Sequence, residues 1–223
     1  MNSIASNLTN VTSRLHAAAL AAKRDPASVR LIAVSKYHPS ESVLAALEAG
    51  QRVFGENRVQ EAKAKFPPLR AAYPDIELHL IGPLQTNKAD DAVRVFDVIE
   101  VLDRIELAEA LAKAMRKIGR HLPCYIEINI GLEPQKAGIA PEQLSDFLKL
   151  CRDKHGLTIT GLMCIPPQGD DPQAAFARLR DLAKAHNLPH ISMGMSADFE
   201  SAIREGATEV RIGTAIFGER AHS

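Results

Sequence analysis

A chain of 223 residues carries 27 lysines plus arginines against 27 aspartates plus glutamates, so its formal net charge is zero. That balance excludes the basic excess of a dedicated nucleic-acid binder, and 46% hydrophobic with 24% charged residues excludes disorder, collagen and coiled coil as descriptions of the whole. No apolar run approaches the roughly 20 residues of a membrane span, residues 1–23 lack the regions of a secretion signal, and three cysteines without C-x-x-C spacing point to a reduced, cytoplasmic chain.

Taken in chain order, a helix is expected over 3–23, ahead of the first strand, where it would cover the lower end of a barrel. Apolar strands follow at 30–36, 52–54, 77–82, 97–102, 123–130, 157–164, 189–194 and 208–213. Helical patterns separate them. In 40–49, Val43, Leu44 and Leu47 are apolar and Gly50 is available just past the end. In 103–118, Leu107, Leu111, Ala114 and Ile118 share a face, with Asp103 at the N-cap and Glu106 as its capping-box partner. Strands alternating with helices predict parallel βαβ units. A doubly wound open sheet competes with a closed barrel. However, no G-x-G-x-x-G follows the first strand, and polar residues end many different strands. The expected fold is α/β, a single (β/α)8 TIM barrel with an extra N-terminal helix, forming one domain over 1–223.

The chemistry gathers at strand ends. Lys36 closes the run Leu31–Ser35; partial desolvation there would lower its pKa and free the amine to form a Schiff base with a carbonyl. The alternative is a lysine snorkelling into water. After strands seven and eight, Gly194, Ser196, Gly213 and Thr214 supply hydroxyls and close backbone approach, the requirements of a phosphate site at the position where barrels often bind one. Ordinary N-caps are the alternative. Arg211 ends strand eight. An amine for an aldehyde, an arginine for a ring nitrogen and a cradle for a phosphate together describe pyridoxal 5′-phosphate (PLP). A guanidinium stays protonated and leaves that ring nitrogen unprotonated, which disfavours extensive carbanion chemistry.

Other positions carry weaker signals. Asn57 is a ligand contact or a helix cap, and His79 reads as a core histidine before a catalytic base. Lys88 and Lys136 are rival lysines in loops, and Glu127 and Asn129 share one strand face. Met163, Met193 and Met195 either fill core gaps or pack on a flat ring. No cluster has convincing metal spacing.

Several motifs in fixed order match one family: Ala33-Val34-Ser35-Lys36, Gly55-Glu56-Asn57-x-Val59-Gln60-Glu61, His79-x-Ile81-Gly82-x-Leu84-Gln85-x-Asn87-Lys88, Gly161-Leu162-Met163, Ser192-Met193-Gly194-Met195-Ser196-x-Asp198, and Arg211-Ile212-Gly213-x-x-Ile216-Phe217-Gly218. Over almost its full length the chain resembles the YggS/PROSC family of pyridoxal phosphate homeostasis proteins. The resemblance implies a barrel like the N-terminal domain of alanine racemase, with Lys36 as the Schiff-base lysine and Arg211 at the pyridine nitrogen. Ser196, Gly213 and Thr214 would surround the phosphate, and Asn57, His79 and Met163 would lie near the ring. It also implies a PLP carrier or buffer in vitamin B6 homeostasis, without established catalytic turnover, with apo PLP enzymes as recipients. Arg58, where the family often has tyrosine, and Tyr37-His38 depart from the pattern.

About ten residues follow strand eight, too few for the second domain a racemase uses, and no opposite-face base stands out. The expected state is therefore a non-enzymatic monomer. A low-activity PLP-dependent racemase or transaminase, and an aldolase using Lys36 on a phosphorylated sugar, are the competing readings.

Overall fold

The computed structural model describes residues 3–167, 169 and 171–219. Eight parallel strands close into a barrel in sequence order: β1 (Arg30–Val34), β2 (Val53–Glu56), β3 (Glu77–Leu80), β4 (Val98–Leu102), β5 (Cys124–Ile128), β6 (Ile159–Cys164), β7 (His190–Ser192) and β8 (Glu209–Ile212). The closing pair runs Arg30 to Glu209 through Ala33 to Ile212, so the strands form a closed barrel and not the competing open sheet. The expectation of one domain over 1–223 reaches residues 1, 2, 168, 170 and 220–223, which lie outside the described residues.

The helices are α1 (Ile4–Ala21), α2 (Ser40–Glu48), α3 (Val59–Ala72), α4 (Ala89–Val95), α5 (Ile105–Ile118), α6 (Leu144–Lys149), α7 (Gln173–Ala185), α8 (Phe199–Arg204) and α9 (Thr214–Phe217). Among the described residues none is long and apolar enough to cross a membrane. In α5 the periodic residues Leu107, Leu111 and Ala114 are buried, Glu106 and Arg116–Lys117 suit the two ends of the helix dipole, and Gly119 closes it at φ 73°. Its start differs from expectation. Arg104, not Asp103, holds the N-cap position, because the Asp103 carboxylate accepts from the Arg104 guanidinium at 2.5 Å instead of capping.

The N-terminal helix is also placed differently. It packs on α2, α8 and α9, burying Leu8, Val11, Leu15, Ala18 and Ala19, with Asn7 Nδ2 donating to the Ile216 carbonyl at 2.9 Å. It does not cover the barrel's lower end. Among the described residues, β8 is followed by the four-residue α9, shorter than the other helices of the ring, and α1 fills the place between α8 and α2.

Alternation along each strand sends one set of side chains inward. Tyr125, Gly161 and His190 are register partners on adjacent strands. The Tyr125 and His190 rings stack across Gly161 at 5.5 Å; a Cβ there would lie 2.7 Å from the His190 carbonyl oxygen. Unusually for a barrel core, the inward layer also holds buried charges: His79, Glu100, Glu209 and Arg211.

Candidate functional site

At the C-terminal ends of the strands lies a cavity of about 470 Å³. The inward period carries side chains into it: Val34 at the end of β1 and Lys36 after it, Asn57 after β2, Ile81 after β3, Glu127 from β5 and Asn129 just past it, and Arg211 from β8 with Gly213 just past it. Ser196 and Thr214 complete the wall on the β7–β8 side. Six of the residues singled out from the sequence, Lys36, Asn57, Ser196, Arg211, Gly213 and Thr214, therefore meet in one place.

Each has a local reason for its position. β1 stops at Val34, so Lys36 stands in the following turn and not on the strand itself. Asn57 does not cap α3, whose N-cap is Arg58; its side chain is thereby left to the cavity. The backbone at Gly194 takes φ 90°, and a Cβ there would fall 2.5 Å from that of Ala202, so only glycine lets the β7 end turn tightly against α8. Met195 N–H then donates to the Asp198 carboxylate at 2.6 Å, and Ser196 Oγ accepts from the Ala215 N–H at 3.4 Å. Gly213 and Thr214 begin α9, where the first N–H groups of a helical turn have no carbonyl behind them.

His79 and Met163 do not line the cavity. Both are fully buried one layer below it, two residues before Ile81 and Ile165, which do line it. His79 acts on the site through a chain of hydrogen bonds. Arg211, 5% exposed, donates from Nη1 to Ser192 Oγ at 2.7 Å and from Nη2 to the Cys164 carbonyl at 2.8 Å. Ser192 donates onward to Glu100 at 2.5 Å. His79 bridges Glu100 at 2.5 Å and Glu77 at 2.8 Å, and Arg30 closes the line on Glu77 at 2.7 Å. Burial alone would depress the His79 pKa, but the two carboxylates raise it to about 9. The same contact holds Glu77 down at about 2. His79, Glu100 and Glu209 lie close enough to share a cation. With both ring nitrogens on carboxylates, the imidazolium itself supplies that positive charge.

Two cavity residues carried little sequence signal. Burial, the nearby Asp103 charge and Glu100 push the Glu127 carboxyl up to about 7 against the pull of Arg211. Lys136 reaches the cavity from a loop, held by Glu133 at 2.5 Å and the Pro166 carbonyl at 2.9 Å. Asn129 organises that loop by donating to the Glu133 carbonyl and accepting its N–H. Lys88 lies outside the cavity. Of the methionines, Met195 lines it, while Met163 and Met193 are core.

Residues 6–221 match the alanine racemase N-terminal domain family. A pyridoxal phosphate homeostasis protein of Pseudomonas aeruginosa is 42% identical over 227 residues, covering 99% of this chain and 97% of its own. The chain belongs to the pyridoxal phosphate homeostasis protein family. The Escherichia coli K12 member is 39% identical over 100% of this chain and 99% of its own length. PipY of Synechococcus elongatus, solved with PLP bound, superposes with a TM-score of 0.84 at 40% identity, covering 96% of this chain and 100% of that one. Alanine racemase from Corynebacterium glutamicum shares the fold, with a TM-score of 0.69 at 21% identity over 61% of its chain. Against this family's pattern, the two local departures touch each other: the Arg58 guanidinium lies over the Tyr37 ring at 5.5 Å, a cation–π contact that joins the start of α3 to the Lys36 turn.

Proposed function

We propose that this chain holds pyridoxal 5′-phosphate reversibly on Lys36 and serves intracellular PLP homeostasis. One observation carries the reading: an amine, a guanidinium and two hydroxyls beside glycine backbone converge on a single cavity in a chain 40% identical to PLP-bound PipY. The donor set fits the group. When bound, PLP supplies an aldehyde that condenses reversibly with a primary amine. Lys36 offers that amine from the β1 turn. Arg211, held by Ser192 and the Cys164 carbonyl, would donate to the ring nitrogen while keeping its own charge. Ser196, Gly213 and Thr214 would hold the phosphate with hydroxyls and backbone N–H groups, and Asn57, which lines the same cavity, would contact the ring. His79 acts from below, by fixing Glu100 and hence Arg211; Met163 supports the floor of the cavity.

The chain works as one cofactor-binding domain over 1–223, in the cytoplasm, as a monomer, and hands PLP to apo enzymes without turnover of its own. A second reading, a slow racemase or transaminase, draws on Glu127, whose pKa of about 7 suits a proton carrier at neutral pH. Titration with PLP separates the outcomes. The carrier reading expects a Schiff-base absorbance in the wild type that Lys36→Ala removes, with no solvent deuterium entering the Cα of an amino-acid panel. Deuterium incorporation abolished by Glu127→Gln supports the enzyme instead.

A further inference from the structure

The residues on either side of Lys36 are tied down from outside the cavity. Before it, the Ser35 hydroxyl donates to Glu56 Oε1 at 2.8 Å and the Ser35 carbonyl accepts from Lys65 Nζ at 2.9 Å. After it, Tyr37 adopts φ 65°, a left-handed conformation that is unfavourable for a side chain of its size. Its N–H donates to Glu61 Oε1 at 2.6 Å. Lys65 joins the two halves, donating to Glu56 Oε1 and to Glu61 Oε1, each at 2.8 Å. The lysine side chain is 6% exposed and Glu56 is fully buried. Three acceptors match the three protons of an ammonium, so the group is fully used and fixed in direction.

Stability alone does not account for such a cluster. Apolar side chains of similar volume would fill the space between β2 and α3 as well or better, because burying an ion pair costs much of what its attraction returns. What apolar groups cannot supply is directional bonds to the Ser35 carbonyl and, through Glu61, to the Tyr37 N–H.

We propose that Lys65 is a positioning residue: with Glu56 and Glu61 it holds the turn that presents the Lys36 amine to the cavity, without itself touching a ligand there. The proposal rests on Lys36 being the attachment point, yet its first readout needs no cofactor. Amide hydrogen exchange on the cofactor-free chain is measured for wild type, Lys65→Met and Glu61→Ala. Both variants are expected to speed exchange at Tyr37 by about tenfold or more while β1 and β2 amides keep their rates. Glu61, which is partly exposed, keeps the test open if Lys65→Met does not fold.

The second readout compares PLP with pyridoxine 5′-phosphate, which has the same phosphate and ring but no aldehyde. PLP uptake is expected to weaken by about tenfold while pyridoxine 5′-phosphate binding stays within about twofold, since only the former uses preorganised Lys36. Unchanged Tyr37 exchange in a folded variant, or equal weakening of both ligands, overturns the proposal. The two readings fail separately. A wild type that takes up no PLP removes Lys36 as attachment point while faster Tyr37 exchange still supports the clamp. Normal PLP uptake with unchanged exchange removes the clamp alone.

Discussion

Replacing His79 by glutamine tests the charge state of the barrel interior. The imidazole is fully buried between Glu100 and Glu77, which overcome the effect of burial and raise its pKa from 6.5 to about 9. Because the folded value lies above the unfolded one, the contribution is complete below pH 6.5 and is lost as the pH rises through 9. At 1.36 kcal/mol per pH unit the interaction is worth roughly 3 kcal/mol, of which about 2 kcal/mol disappears between pH 6.5 and 8.5. Glu127 and Glu209 are also raised, to about 7. Their contributions are present below the usual carboxylate range and are likewise lost as pH rises, so the wild-type curve alone does not identify His79. Urea unfolding of wild type and His79→Gln at pH 6.5, 7.5 and 8.5 isolates it. The stability difference between the two proteins should shrink by about 2 kcal/mol across that window. A difference that stays constant means a neutral imidazole and refutes the argument.

Gly194→Ala combines an unfavourable φ of 90° with a Cβ 2.5 Å from that of Ala202; a loss of roughly 3 kcal/mol is expected, read as a fall in Tm of about 6–12 °C. An unchanged Tm would mean that the β7 turn relaxes freely. Cys124, Cys151 and Cys164 are buried and raised to about 12, so a thiol-specific disulfide reagent at pH 8 should react with none in the folded chain and with all after denaturation. A full equivalent of fast reaction in the native protein contradicts that burial.

The barrel was legible because each β strand is a short apolar run and each connection carries helical periodicity, signals that depend on neighbours in sequence. The placement of α1 was not, since filling the ring between α2 and α8 is decided by how short α9 is, a contact between the two ends of the chain. Lys36, Asn57, Ser196, Arg211, Gly213 and Thr214 were legible as strand-end residues. Glu127 and Asn129 offered a faint signal, polar side chains on the inward period at and just past an otherwise apolar β5, while Lys136 was legible only as a rival lysine in a loop, because that loop reaches the cavity through Asn129 and Glu133. His79 and Met163 entered by family likeness; counting two residues back from Ile81 and Ile165 along the pleat already puts them a layer below the opening. The Asp103 cap failed because an adjacent arginine competes for the same carboxylate.

Two lysines line the cavity, Lys36 and Lys136, and the central claim is that only the first carries the cofactor. Borohydride reduction of the PLP-loaded chain, followed by mass spectrometry of its peptides, distinguishes them directly. The account predicts a reduced phosphopyridoxyl group on the peptide containing Lys36, absent from Lys36→Ala and unaffected by Lys136→Ala. A label on Lys136 in the wild type, or no label at all, contradicts it.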